Sequence, residues 1–274
     1  MSLQPLGAVA PTELVQARNA LHYAVQLIAS AGHYLAKPQP DDGHRSLTWE
    51  PELSAFRGVD LEGGFFVRVK AVEFTAEIVK LDQTVITELE LDDSPLPESL
   101  LLLQAQMPVP EARRSFSFAK MDAAFPDAAT LERTLYAAPL EQREELALHY
   151  AHADEALQAL VADEPKASPV RVWPHHFDIA TLLPGPGPDS TIGVGLSPGD
   201  AGYAEPYWYV TPHDPTPNAT ESTPPKPWSW HTEGWMGLVL PMSRLFKHAK
   251  EASRDGELRA SLGHCVEIAR KVSG

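Results

Sequence analysis

Apolar residues recur along this chain with two different periods, and the switches between them mark out its elements. Over 11–36 the period is helical. Leu14, Leu21, Ile28 and Leu35 return every seven residues, with Ala17, Ala24 and Ala31 filling the second seam position. Thr12 is placed to cap this helix and Glu13 suits its positive end. Alanines on a packing stripe let a second helix or a sheet come close. His22 and His33 lie beside the stripe and are expected at the surface or its boundary.

The period then drops to two. In 45–56, Leu47, Trp49, Leu53 and Ala55 share one strand face, and Thr48, Glu50, Glu52 and Ser54 the other. Over 65–79 the apolar phase slips from Phe65, Val67 and Val69 to Val72, Phe74, Ala76 and Ile78, which predicts a bulge near Ala71–Val72. A turn over 81–84 leads to an antiparallel partner strand over 85–91. A short helix over 94–107 opens on Pro95 and Pro97. Periodicity is weak over 107–127, where Arg113 and Arg114 read as solvated surface. Helical runs over 128–138 and 140–163 are broken at Pro139. The second buries Leu146, Tyr150, Ala153, Leu157, Leu160 and Val161, with His149 and His152 as exposed flanks. Strands follow over 170–182, 191–197, 206–213 and 230–240, and helices over 242–253 and 256–272. In the last helix Leu258, Leu262, Cys265, Val266 and Ala269 make one face, so Cys265 is a small core side chain rather than a nucleophile.

These elements predict an α+β fold of antiparallel β-sheets packed with helices, in two halves, 1–127 and 128–274, that together can form one compact domain. Helix, Trp-bearing strand and meander occur in both. Aligning Trp49 with Trp173 puts Leu53 on Phe177, Glu52 on His176 and Ser54 on Asp178, which points to an internal duplication of a helix–β-meander unit, with chance as the alternative. The 274 residues suit one large domain or two smaller ones.

Composition narrows the function classes. Acidic residues outnumber basic ones, 37 to 22, for a formal charge of −15, so neither nucleic acid nor anionic membrane is expected as a partner. No apolar run approaches the roughly 18 residues of a membrane span. The opening M-S-L-Q-P-L-G-A-V-A-P has neither a basic n-region nor a long apolar segment, and the single cysteine excludes an intramolecular disulfide or a multi-Cys metal site. The expected location is the cytoplasm. The 26 prolines predict many loops and irregular strand ends.

Candidate chemistry gathers around R-V-W-P-H-H-F-D at 171–178. Read as one strand, it sends Trp173, His175, Phe177 and Ile179 toward a core, and Val172, His176, Asp178 and Ala180 to the opposite face. The later strands add to that opposite face. In 191–197, Ile192, Val194 and Leu196 go inward while Thr191, Gly193, Gly195 and Ser197 go outward, leaving backbone bare enough for a ligand to lie on it. Glu205, Tyr207, Tyr209, Thr211 and His213 follow outward from the next strand, and His231, Glu233, Trp235 and Gly237 from the last. A solvated face would carry Lys, Thr, Gln and Arg instead. S-P-G-D at 197–200 fits a type II turn whose Asp200 can reach the same face. The Pro-rich loop 211–227 has the length of a lid, and Trp228, Trp230 and Trp235 are placed to rim a pocket for a sugar or flat organic ligand.

Three readings stay open. A divalent metal (Zn, Mn or Fe) can be held by His176 and Asp178 with His213, His231 and Glu233. Metal-free acid–base work can use His176 oriented by Asp178 as the catalytic pair. Or the face is filled by the protein's own chain and serves binding or structure alone. In the first two, Gly193, Gly195, Glu205, Tyr207, Tyr209 and Trp235 would contact a small-molecule ligand. No phosphate loop, G-x-S-x-G elbow, H-E-x-x-H or G-x-G-x-x-G motif is present.

With W-P-H-H-F-D-I-A at 173–180, S-P-G-D at 197–200 and E-P-Y-W-Y-V at 205–210, the chain resembles a bacterial family of uncharacterised proteins. The correspondence is carried by Phe177, Asp178, Glu205 and Pro206, with aromatic positions near Tyr207–Tyr209. Distant members have S-F-D-L-A where this chain has H-H-F-D-I-A, so His at 176 is not part of the shared pattern. The resemblance implies an α+β, duplicated architecture and no particular activity.

Overall fold

The seven-residue stripe of 11–36 is buried from Leu14 to Leu35 in the computed structural model, which describes residues 3–118 and 133–274. It forms α1 (Val15–Ala24) and α2 (Gln26–Leu35), joined through Val25 with unbroken helical hydrogen bonds from Leu21 to Ala29. Strands β1 (Leu47–Glu50), β2 (Ala55–Gly58), β3 (Phe65–Lys70), β4 (Thr75–Lys80) and β5 (Val85–Glu90) follow. Then come a short β6 (Ser94–Pro95), α3 (Leu96–Gln106), β7 (Thr134–Leu135) and the long α4 (Leu140–Ala162). The remainder is β8 (Arg171–Trp173), β9 (Asp178–Pro184), β10 (Thr191–Ser197), β11 (Tyr207–Thr211), β12 (Ser229–His231), β13 (Gly237–Pro241), α5 (Met242–His248) and α6 (Arg254–Val272). The chain is thus an α+β protein of antiparallel strands and helices.

Two compact units divide it. One comprises Gln16–Ala147 with Arg171–Phe177, the other Met1–Val15, Leu148–Val170 and Asp178–Gly274. In the first, the strand order is β8-β1-β2-β3-β4-β5. Leu47, Trp49, Phe56, Val67, Val69, Ala76 and Ile78 share the buried face. Helix α2 lies directly over it, because Gly58 has no Cβ to collide with Ile28: one built there would stand 2.5 Å from Ile28 Cγ2. The other face carries a ladder of charge in which Arg68 donates to Glu77 (Nε, 2.8 Å) and Glu50 (3.2 Å), and Lys70 to Glu88 (3.0 Å).

The phase slip in 65–79 is a turn, not a bulge. Residues 71–74 close a four-residue hairpin between β3 and β4, and the same device closes β1 onto β2 over 51–54. Each ends on a non-glycine residue in the left-handed region, Phe74 at φ 60° and Ser54 at φ 46°. An extra-residue count alone cannot separate a bulge from a hairpin. The expected helix over 128–138 lies partly outside the described residues, and in its described part Thr134–Leu135 pairs with Ser94–Pro95 as strand.

In the second unit the order is β12-β13-β11-β10-β9. Register places Ile179, Thr181 and Leu183 beside Ile192, Val194 and Leu196, then Trp208 and Val210, then Leu238 and Leu240, all buried. Helix α6 packs on β10 and β11 with Leu258, Leu262, Cys265, Val266 and Ala269 buried, and burial pushes the Cys265 thiol up. The apolar segment 230–240 is a hairpin rather than one strand, with His231 opposite Gly237.

Helix α4 buries Leu146, Tyr150, Ala153 and Leu157 as its stripe requires, but it also buries His149, at 1% exposure, with its ring 6.4 Å from Phe246. His152, beside it, meets the Gln4 carbonyl at 2.8 Å. Burial drives His149 down to about 3 from an unfolded value of 6.5. The folded state therefore resists a proton that the unfolded state accepts. Stability from this site is complete above pH 6.5 and declines as pH falls toward 3, by up to about 1.4 kcal/mol per pH unit. Urea unfolding at pH 7, 6 and 5 is expected to show a falling midpoint in the parent and a flatter profile in His149→Leu; parallel profiles would refute this assignment.

Candidate functional site

The segment 171–178 does not run as one strand. β8 stops at Trp173, residues 174–177 turn, and Phe177 takes φ 59° before β9 opens at Asp178. The turn is held from within its own unit. The Trp173 carbonyl accepts from Phe177 N–H at 2.6 Å, and the Pro174 carbonyl accepts from both His22 Nε2 (2.9 Å) and Gln26 Nε2 (2.8 Å). Phe177 is fully buried between the His22 ring, stacked at 5.1 Å, and Phe56 at 5.0 Å. A carbonyl oxygen can only accept, so His22 is protonated at Nε2, and burial holds its pKa down to about 3. The alternation expected across 172–180 therefore ends at Trp173. His175 is half-buried rather than core, and His176 is exposed with its ring 4.4 Å from that of His175. His176 and Asp178 are not neighbours on one strand face, and the catalytic pair read from their spacing is not formed by the strand.

Asp178 does enter the sheet, and from there the expected parity holds. Through the register of β9, β10, β11, β13 and β12, one face collects Asp178, Ala180, Gly193, Gly195, Ser197, Tyr207, Tyr209, Gly237 and His231. Tyr209 reaches over β10 to donate its hydroxyl to Asp178 Oδ2. Tyr207 donates to Asp200 Oδ2 at 2.6 Å, so the S-P-G-D turn does bring Asp200 to this face. Gly199 in that turn has φ 109°, a conformation suited to glycine. Burial, followed by the nearby carboxylates, raises both phenols well above the ordinary tyrosine value. At neutral pH they are hydrogen-bond donors and not bases.

Bare backbone at Gly195 is not available to a ligand. A Cβ there would stand 2.6 Å from the Tyr209 hydroxyl and 2.6 Å from the Ile179 carbonyl, so the phenol crosses the sheet through the space the missing side chain leaves. Gly193 is more open, with its nearest atom, Thr211 Cβ, at 3.7 Å.

The outer end of the face is built by residues from two loops. Tyr203, not singled out by strand alternation, meets His231 Nδ1 at 2.9 Å, and the same ring's Nε2 meets the Glu233 carbonyl at 2.8 Å. Asp200 positions Tyr203 by accepting from its N–H (2.9 Å) and from Gly202 N–H (2.7 Å), a local turn for which D-A-G-Y was the available signal. The rings run in sequence: Tyr207 to Tyr203 at 4.6 Å, Tyr203 to His231 at 5.6 Å, His231 to Trp235 at 4.4 Å. Trp235 and Glu233 are both exposed.

Other expected members lie elsewhere. Glu205 turns to the start of α5, accepting from Ser243 N–H (2.7 Å) and Oγ (2.8 Å). His213 is exposed beyond β11. Trp228 is buried with its indole N–H on Ser261 Oγ (3.0 Å), and Trp230 bonds the Ser222 carbonyl (2.7 Å), so neither rims the face as Trp235 does. The loop 211–227 is tied down, with Thr216 N–H on the Val272 carbonyl and Pro215 bridged to Ser273. The metal set His176, Asp178, His213, His231 and Glu233 is not assembled. Among the described residues no group of three or more His, Cys, Asp or Glu side chains is placed to hold a metal ion.

No family model, curated protein or solved structure matches the chain.

The two glycines make opposite predictions. Gly195→Ala is expected to lose about 1–3 kcal/mol by crowding both the Tyr209 hydroxyl and the Ile179 carbonyl, while Gly193→Ala stays within about 0.5 kcal/mol of the parent. Equal unfolding midpoints for the two variants would show that Tyr209 does not need that space.

Proposed function

We propose that the second unit binds a small molecule at the outer end of this face, over Tyr203, His231 and Trp235. The observation that carries the reading is the unbroken series of rings from Tyr207 to an exposed Trp235, fixed from behind by Asp200. Side chains anchored by hydrogen bonds are preorganised, so a ligand laid against them costs little ordering. The inner half supports the competing reading of a face filled by protein, since Tyr209 occupies the space above Gly195. We assign each reading its own region: the interior is structural, and binding belongs to the rim. Neutral phenols suit holding and orienting a ligand, so the site is read as a binding site rather than a His/Asp-dependent enzyme.

Among the described residues no helix is long and apolar enough to cross a membrane. The proposal places the protein in the cytoplasm, in keeping with one buried cysteine, and its charge of −15 argues against nucleic acid as the partner. Thermal-shift measurements with sugars, amines, nucleosides and carboxylic acids are expected to find at least one class that raises Tm. That rise should shrink in Trp235→Ala and persist unchanged in His176→Ala. Silence across the panel would favour a face closed by the chain itself, and a response indifferent to Trp235→Ala would put the site elsewhere.

A further inference from the structure

The hydrogen-bonding capacity of the rim is largely spent on itself. Asp200 uses Oδ1 for two backbone N–H groups and Oδ2 for the Tyr207 hydroxyl. The Glu233 carbonyl can only accept, so His231 donates through Nε2, and its Nδ1 accepts a hydrogen bond from the Tyr203 hydroxyl. A ligand recognised through hydroxyl groups, such as a sugar, would have to break these pairs.

Two properties are left over, charge and ring surface. The donors just described for Asp200 are all neutral, so they orient its negative charge without cancelling it. Glu233 adds a second, exposed carboxylate whose charge acts on Tyr203. The Tyr203 phenol is raised above its ordinary value by burial first; the Arg244 guanidinium lowers it, and the Asp200 and Glu233 carboxylates raise it. The Arg244 guanidinium is held on Ser229 Oγ at 2.8 Å. By count the rim holds two carboxylates, Asp200 and Glu233, and one guanidinium, Arg244, an excess of one negative charge within a chain whose formal charge is −15. The electron-rich faces of Trp235, Tyr203 and Tyr207 attract cations in the same sense.

Resting on the proposed small-molecule site, we infer that the rim takes an organic cation, and in particular an alkylated ammonium group. Such a group carries positive charge, an apolar surface suited to aromatic faces, and no N–H donor when fully alkylated. It matches what the site has left to offer and asks for nothing it has already used.

Titration of the full chain with choline and tetramethylammonium, followed at the tryptophan indole N–H resonances by NMR, tests this against two neutral probes. These are 3,3-dimethylbutan-1-ol, which has the shape of choline without its charge, and glucose. Choline and tetramethylammonium are expected to shift the Trp235 resonance saturably, with affinity falling as salt rises, and the neutral probes to leave it unmoved. Trp235→Ala, followed by thermal shift or calorimetry, should raise Kd about two- to fivefold. Glu233→Gln, a change at an exposed position, should weaken the cations as well. Equal binding of the neutral alcohol, or binding of glucose alone, would overturn the cation inference and leave the site standing. Silence from all four probes with a response elsewhere in the thermal-shift panel also overturns it alone. Silence from everything overturns both.

Discussion

A single residue forced into the left-handed region decides which side chains reach the sheet. Phe177 pays about 1–2 kcal/mol for that conformation, and full burial of its ring returns about 1.5–3 kcal/mol. The closing turn is fastened further by His22 and Gln26 on one carbonyl, so that helix α1 and helix α2 both grip it. Because the turn consumes residues 174–177, Asp178 is the first residue after Trp173 to take a strand position. His176, two residues earlier, is left at the surface.

Asp178 in turn fixes how the second unit's face is filled. Its carboxylate draws Tyr209 across β10, and only a glycine at 195 leaves room for that crossing. A phenol laid over a cross-strand glycine restores the packing the glycine lacks. Polar residues on a sheet face are therefore no sign of an open cavity. Here Tyr209 fills the space over Gly195, and the most exposed ring of the series is Trp235, where β12 and β13 turn.

Two histidines whose rings are held neutral by burial illustrate a similar economy. His22 and His149 are both held neutral by burial, far below the ordinary imidazole range. Neither belongs to the ring series of the second unit. Their role is in packing and in holding a turn, and their cost appears only when acid gives the unfolded chain a proton the folded one refuses.

Much of this was legible in residue order alone. The seven-residue stripe of 11–36, the stripe of α6 and the inward positions of β10 and β11 followed from period, because a helix or strand with one buried face must repeat its apolar residues at its own pitch. The convergence of Asp178, Tyr207 and Tyr209 followed for the same reason, and the reach of Asp200 followed from the S-P-G-D turn. What period cannot carry is the position where a strand ends. Ser54, Phe74 and Phe177 are not residues that announce a left-handed turn, and their conformations are held by surroundings rather than by preference. The burial of His149, the diversion of Glu205 to a helix start and the covering of Gly195 by Tyr209 were likewise settled by partners distant in the chain. A residue's type states which contacts it can make, and only the packed structure chooses among them.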